Sequence, residues 1–146
     1  MNKQFFLGLL VILPIFLSGL VHAAEWKFCA NEHELCDFKG LKAVRYGADE
    51  KFEYRVYSHG VSCNNKQFGD PASGIVKHCD TANLTQWKFC SNENGLCDFK
   101  GVKAVRYGAE GNYDYRIYSD GVNCNNNELG DPAHGIVKHC YTADLR

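Results

Sequence analysis

Beyond an apolar run from Phe5 to about Leu20, hydrophobic and polar positions alternate with a period of two, and no sustained 3.6-residue period appears. The clearest stretch is "KFEYRVY", Lys51 to Tyr57. Phe52, Tyr54 and Val56 share one face of it, and Lys51, Glu53, Arg55 and Tyr57 share the other. "NYDYRIY", Asn112 to Tyr118, repeats the pattern. Alternation of this kind predicts a half-buried β-strand. It assigns Phe52, Tyr54, Tyr113 and Tyr115 to the core and points Tyr57 outward beside Arg55. "KAVRYG", Lys42 to Gly47, predicts a second strand, "EWKFCA" and "LCDFKG" predict shorter ones, and "GIVKHC" closes the set. Gly40, "YGADEK", "SHG" and "GDPASG" predict turns, through glycine's freedom, Asp side-chain capping and the fixed φ of Pro71.

The pattern is written twice. Glu25–Thr85 aligns with Gln86–Arg146 at a shift of 61 without gaps, with about two-thirds of positions identical. That period is too long for the common solenoid repeats. The expected organisation is a first β repeat at 24–85 and a second at 86–146, joined by a linker no longer than Asp80–Thr85. The start of the chain, with Lys3, the apolar run and the small-residue end Val21-His22-Ala23, predicts a secretory signal peptide at 1–23, cleaved after Ala23. The run is interrupted by Pro14, Ser18 and Gly19 and falls short of a bilayer span, so no membrane anchor is expected.

All eight Cys follow Ala23. An even Cys count in an exported chain predicts disulfides. A unit of about 60 residues buries only about 60% of its unfolded surface and is marginal without such staples. Cys29, Cys36, Cys63 and Cys79 match Cys90, Cys97, Cys124 and Cys140. Four Cys per repeat allow three pairings, and the most local, Cys29–Cys36 with Cys63–Cys79, is favoured because each copy must fold as its twin does. The fold class is therefore all-β: two tandem small antiparallel β-sandwich or Greek-key-like domains, each with two disulfides.

Charge narrows the partners. Lys and Arg number 16 against 17 Asp and Glu, with no block of one sign, so the clustered cations that a nucleic-acid partner requires are missing. Lys77-His78-Cys79 invites a thiolate nucleophile beside a His, which disulfide pairing of every Cys would disable. The spacings of six and fifteen residues between Cys do not fit a tight zinc knuckle. The repeated acids Glu32, Asp37 and Asp70, with Glu93, Asp98 and Asp131, do not form an evident glycosidase pair, and Asp70 precedes Pro71 in a turn. No calcium loop motif occurs. No catalysis, metal or cofactor is expected.

The aromatic share, 13%, is the more informative excess. Trp26 and Tyr57, with Trp87 and Tyr118, are the candidate ligand-stacking rings. Asn64 and Asn125 are the candidate polar partners, since a planar ring flanked by amides and Arg suits a sugar. The alternative assigns Trp26 and Tyr46 to a small core and the Asn pair to turns.

The order of residues "WKFCANEHELCDFKGLKAVRYGA…CNN…FGDPASGIVKHC" resembles a small disulfide-bonded module found at the C-terminal end of secreted microbial carbohydrate-active enzymes. The resemblance covers nearly all of each copy. Its Val-Arg-Tyr-Gly and Phe-Gly-Asp-Pro segments are its most specific parts. It implies an accessory, glycan-directed binding role without catalysis. The chain departs from it in carrying a tandem pair without a catalytic domain, and in having Leu129 where the pattern has Phe, which Phe68 matches. The expectation is a secreted or periplasmic, non-catalytic, bivalent protein that binds a polysaccharide or cell-surface glycan. The alternative is an inhibitor or effector that binds a protein through a disulfide-closed loop such as Gln67–Gly74.

Overall fold

The structure is a computed structural model describing residues 23–146. The expected signal peptide, apart from Ala23, lies outside the described residues. The first repeat runs β1 (Lys27–Asn31), β2 (Leu35–Cys36), β3 (Leu41–Ala48), β4 (Lys51–Ser58), β5 (Val61–Ser62), the one-turn helix α1 (Asn65–Phe68) and β6 (His78–Asn83). The second runs β7 (Lys88–Asn92), β8 (Leu96–Cys97), β9 (Val102–Ala109), β10 (Asn112–Ser119), β11 (Val122–Asn123), α2 (Asn126–Leu129) and β12 (His139–Ala143). The chain is all-β as its alternation predicts, and each repeat builds its own four-stranded antiparallel sheet.

Strand order in the sheets is β1-β6-β3-β4 and β10-β9-β12-β7. The last strand of each repeat returns beside the first, as in a Greek key, but inserts between it and the central strand. The six-residue linker expected at Asp80–Thr85 is largely strand, since β6 extends to Asn83. The β3–β4 hairpin turns through Asp49 and Glu50, both at positive φ, and its twin turns through Glu110 and Gly111. Paired left-handed residues match the natural twist of flanking strands. The Gly of the Val-Arg-Tyr-Gly motif has a steric cause: a Cβ on Gly47 would sit 1.9 Å from the Lys51 carbonyl oxygen.

Each sheet has two different faces. On one, Val44, Tyr46, Val61, Phe68 and the buried Cys36, Cys63 and Cys79 form a core under the short β2–β5 ribbon and α1. Val105, Tyr107, Val122 and Leu129 repeat it. Leu129 fills the place of Phe68, so the departure from the motif leaves the core closed. The disulfides are Cys29–Cys36, Cys63–Cys79, Cys90–Cys97 and Cys124–Cys140, the local pairing that the duplication favours. They stand in for core that so small a unit lacks, at about 2–4 kcal/mol each. Four disulfides suit an oxidising environment. Among the described residues no helix is long and apolar enough to cross a membrane.

On the opposite face the two sheets pack against one another. Ala43 and Ala82 meet Ala104, Ala143 and Leu145, with Val56, Ile117, Trp26 and Trp87 around them. Small side chains at the centre let the two backbones come close. The tails tie off the seam: Asn83 and Arg146 exchange backbone hydrogen bonds of 2.7 Å in both directions. One sheet from each repeat thus supplies one layer of a sandwich.

The burial of strand β4 corrects one expectation. The period of two is right, but the face bearing Tyr57 is the one that meets the disulfide core, where its ring lies 5.4 Å edge-on from Phe68. Tyr54, expected inside, is partly exposed beside the seam. A half-buried strand reads the same whichever face is covered, and here each face meets a different layer.

The alanine seam sets a prediction. Ala43→Leu overpacks it and should lower stability by about 1–3 kcal/mol, read as a shift in the urea midpoint with all four disulfides retained. An unchanged midpoint would show that the seam is loosely packed.

Candidate functional site

The Gly-Asp-Pro and Lys-His-Cys motifs meet at a buried lysine. Lys77, only 4% exposed, lies between Glu32 Oε1 at 3.2 Å and Asp70 Oδ1 at 3.1 Å. Its ammonium also donates to the Ile75 carbonyl at 3.0 Å. The Tyr46 hydroxyl donates to Glu32 Oε1 at 2.6 Å and lies 2.7 Å from the side-chain amide of Asn65. Lys138, Glu93, Asp131, Tyr107 and Asn126 rebuild the arrangement in the second repeat. Desolvating an ammonium is costly unless carboxylates and carbonyls replace its water, as these do.

Electrostatics follow from that geometry. The hydrogen bond from Tyr46, reinforced by the Lys77 amide, holds the Glu32 carboxyl down at about 2. Burial and the hydrogen bond to the Glu32 carboxylate push the Tyr46 phenol well above its ordinary value. Burial pulls Lys77 down, but its bonds to Asp70 and Glu32 outweigh this and leave it raised. Glu32 and Lys77 are each stabilised in their ordinary ionised form, so the cluster has the character of a clamp: it holds the disulfide loop onto the sheet.

A second arrangement occupies the seam-side face. The Arg45 guanidinium lies 4.9 Å from the Trp26 ring and 4.3 Å from the Phe52 ring, and its Nε donates to Asp80 at 2.8 Å. In the second repeat Tyr141 replaces Asp80. Arg106 then stacks on Trp87, Tyr113 and Tyr141, and its buried Nε finds no partner among the described residues. The candidate rings Trp26 and Trp87 are therefore engaged in these stacks. Phe28, at 63% exposed, and Phe89 remain open beside His78 and His139.

The candidate amides are engaged locally too. Asn64 caps α1 by accepting from the Gln67 amide at 3.1 Å, and Asn125 caps α2 from Glu128 at 3.0 Å. Capping of this kind satisfies donors that a helix start leaves unpaired. Sequence alternation missed both helices because one turn shows no period.

Tyr57 and Tyr118 are brought together. With Tyr54, Tyr115, Arg55 and Arg116 they line one cleft of about 320 Å³ where the edge strands β4 and β10 face each other. Residues 54–57 and 115–118 are equivalent in the two repeats, so the cleft lies on the axis that relates them. The Tyr57 hydroxyl donates to the Gln67 carbonyl and that of Tyr118 to Glu128, so both rings are held in place. A second hollow of about 450 Å³ borders Trp26, Tyr54, Lys100 and Lys103. Among the described residues no group of three or more His, Cys, Asp or Glu is placed to hold a metal ion. All eight Cys are in disulfides, so none is free to act as a nucleophile.

The chain is 28% identical over 138 aligned residues to "Uncharacterized protein L701" of Acanthamoeba polyphaga mimivirus, covering 77% of this chain and 68% of that protein. No known family matches the chain. No solved structure matches it.

Two predictions arise from the clamp and the stack. The folded state favours ionised Glu32 over an ordinary value of 4.5, so this stabilisation is complete above pH about 5 and is lost as pH falls through 4.5 towards 2. Urea midpoints measured across that window should fall, and Glu32→Gln should flatten the fall while lowering the plateau. Asp80→Ala strands the Arg45 guanidinium and should cost about 1.5–3 kcal/mol, the range for hydrogen bonds to charged groups. Denaturation curves would check it, and a smaller loss would show that the aromatic rings alone hold the arginine.

Proposed function

We propose that this is a secreted, non-catalytic glycan-binding protein whose two repeats supply the two halves of one cleft. The observation that carries the reading is the convergence of Tyr54, Tyr57, Tyr115 and Tyr118 with Arg55 and Arg116 on a single hollow. Its volume is at the small end of ligand pockets. That suits one or two sugar rings of a longer chain lying across an open surface. Tyrosine rings offer apolar faces for the C–H side of a pyranose, and guanidinium donors reach its hydroxyls. The resemblance to accessory modules of carbohydrate-active enzymes supports the same class of ligand. The signal peptide expected at 1–23 and the four disulfides support export.

The duplication acquires a different role from that of two independent weak sites. Equivalent residues face each other at the axis, so the repeats act together within one cleft. Phe28 and Phe89 leave each repeat one further exposed ring for an extended polymer.

One observation favours a second reading. Ile75 and Val76 protrude from the loop closed by Cys63–Cys79, with Val76 81% exposed, and Ile136 and Val137 repeat the projection. Exposed aliphatic residues on a rigid loop suit a protein partner. They lie just past the Gln67–Gly74 segment, in which Phe68 and Ala72 are buried.

Titration calorimetry with neutral and acidic oligosaccharides tests the primary reading. Binding should occur with one oligosaccharide per chain. Tyr54→Ala or Tyr115→Ala should each weaken it by about fivefold or more, the low end for loss of a stacking ring. The double variant should weaken it by about the product of the two single losses, since both rings contact one bound oligosaccharide. Two oligosaccharides per chain would restore independent sites, and no heat with any oligosaccharide would favour the protein-binding reading.

A further inference from the structure

Resting on the glycan-binding reading, we infer that the cleft selects acidic sugars, holding one carboxylate or sulfate group on Arg116. The two halves of the cleft are related by the repeat but differ in charge. In the first half Arg55 is neutralised by its neighbour, with its Nη2 3.3 Å from Glu53 Oε1. Glu53 lines the cleft as well, so this ion pair belongs to the wall.

The second half has no such pair. Asp114 stands where the first repeat has Glu53, one methylene shorter. Its Oδ2 sits at Gly130, 2.8 Å from where a Cβ of that residue would lie, beside the C-terminal end of α2. Gly130 leaves the room that the shorter acid takes. Arg116 is exposed in the cleft and makes no ion pair among the described residues. Glu53, Arg55 and Arg116 together leave the cleft one positive charge in excess. Tyr115 and Tyr118, on the same strand as Arg116, line the cleft beside it.

A guanidinium with a free planar fork is matched to a planar carboxylate or a sulfate, both of which accept two parallel N–H bonds. Tyrosine faces beside it suit the sugar ring that carries the anion. The bare anion alone would lose that stacking, and a neutral sugar would leave the guanidinium without its counter-charge. The combination selects a uronic acid or a sulfated sugar within a chain.

The test uses the full exported chain and three probes of equal length: a galacturonic acid tetrasaccharide, a sulfated galactose tetrasaccharide and neutral galactotetraose. Calorimetry should show one or both acidic probes binding at least about tenfold more tightly than the neutral one, the scale of a charge-assisted hydrogen bond. Which of them binds identifies the anion. Raising the salt from about 50 to 500 mM should weaken acidic binding and spare neutral binding, because exposed charges are screened. Arg116→Ala should abolish the preference with an unchanged melting temperature, and Arg116→Lys should keep part of it. Glu53→Gln should strengthen acidic binding severalfold by releasing Arg55. Equal affinities for all three probes, or a preference that survives Arg116→Ala, would overturn the inference and leave the glycan reading standing. Binding of none of the three, with no heat from any other oligosaccharide, would overturn both.

Discussion

Everything on the disulfide side of the sheet hangs on a lysine that has given up its water. Lys77 reaches inward from the loop to Glu32 and Asp70, and Tyr46 braces Glu32 from the centre of the sheet. Removing one carboxylate leaves an ammonium in a place where water cannot replace it. The loop, the Gly-Asp-Pro turn and the start of β6 are thereby held to one another. The Cys63–Cys79 bond closes the same loop covalently. Backbone entropy and side-chain electrostatics are constrained at one spot, which suits a repeat too small for a large core. Both copies keep all five polar members of the clamp, although about one-third of aligned positions differ between them.

The opposite face of each sheet follows a different rule. It must fit its twin, so its centre is alanine and its rim is aromatic. Along that rim the repeats have diverged: Asp80 answers Arg45 with a carboxylate, whereas Tyr141 answers Arg106 with a ring. Near the axis Glu53 and Asp114 diverge by a single methylene, and the charge of the cleft becomes lopsided. A duplicated domain can in this way keep a symmetric framework and acquire an unsymmetric site. The framework depends on buried residues whose changes are costly. The site depends on exposed ones whose changes are nearly free.

How far the candidate site was legible follows from which residues have short-range signals. Tyr57 and Tyr118 stand out in alternating stretches, and both line the cleft. Nothing within the sequence places one opposite the other, because the packing of β4 towards β10 depends on how two sheets dock. Asn64 and Asn125 stand as adjacent amides beside Cys, and their side chains cap helical turns too short to show a period. Trp26 and Trp87 carry the aromatic signal of a binding ring and serve as plates for arginine. Lys77 gave no sign of burial, since a lysine among polar neighbours reads as surface and only its distant partners Glu32 and Asp70 reverse that.

The sequence by itself determined the all-β character and the two copies, and it favoured the local disulfide pairing among the three that four Cys per copy allow. Period-two alternation, a shift of 61 without gaps and four matched Cys per copy are properties of neighbouring residues or of self-comparison. Tertiary structure alone decided what covers each face of β4, which Cys pairing forms, where the sandwich layers lie and that the two repeats meet at one cleft. A strand's alternation states only that its two faces differ; which of them is covered depends on the shape of what packs there. Here the disulfide loops cover one face and the twin sheet covers the other, and both are assembled from residues far apart in the chain.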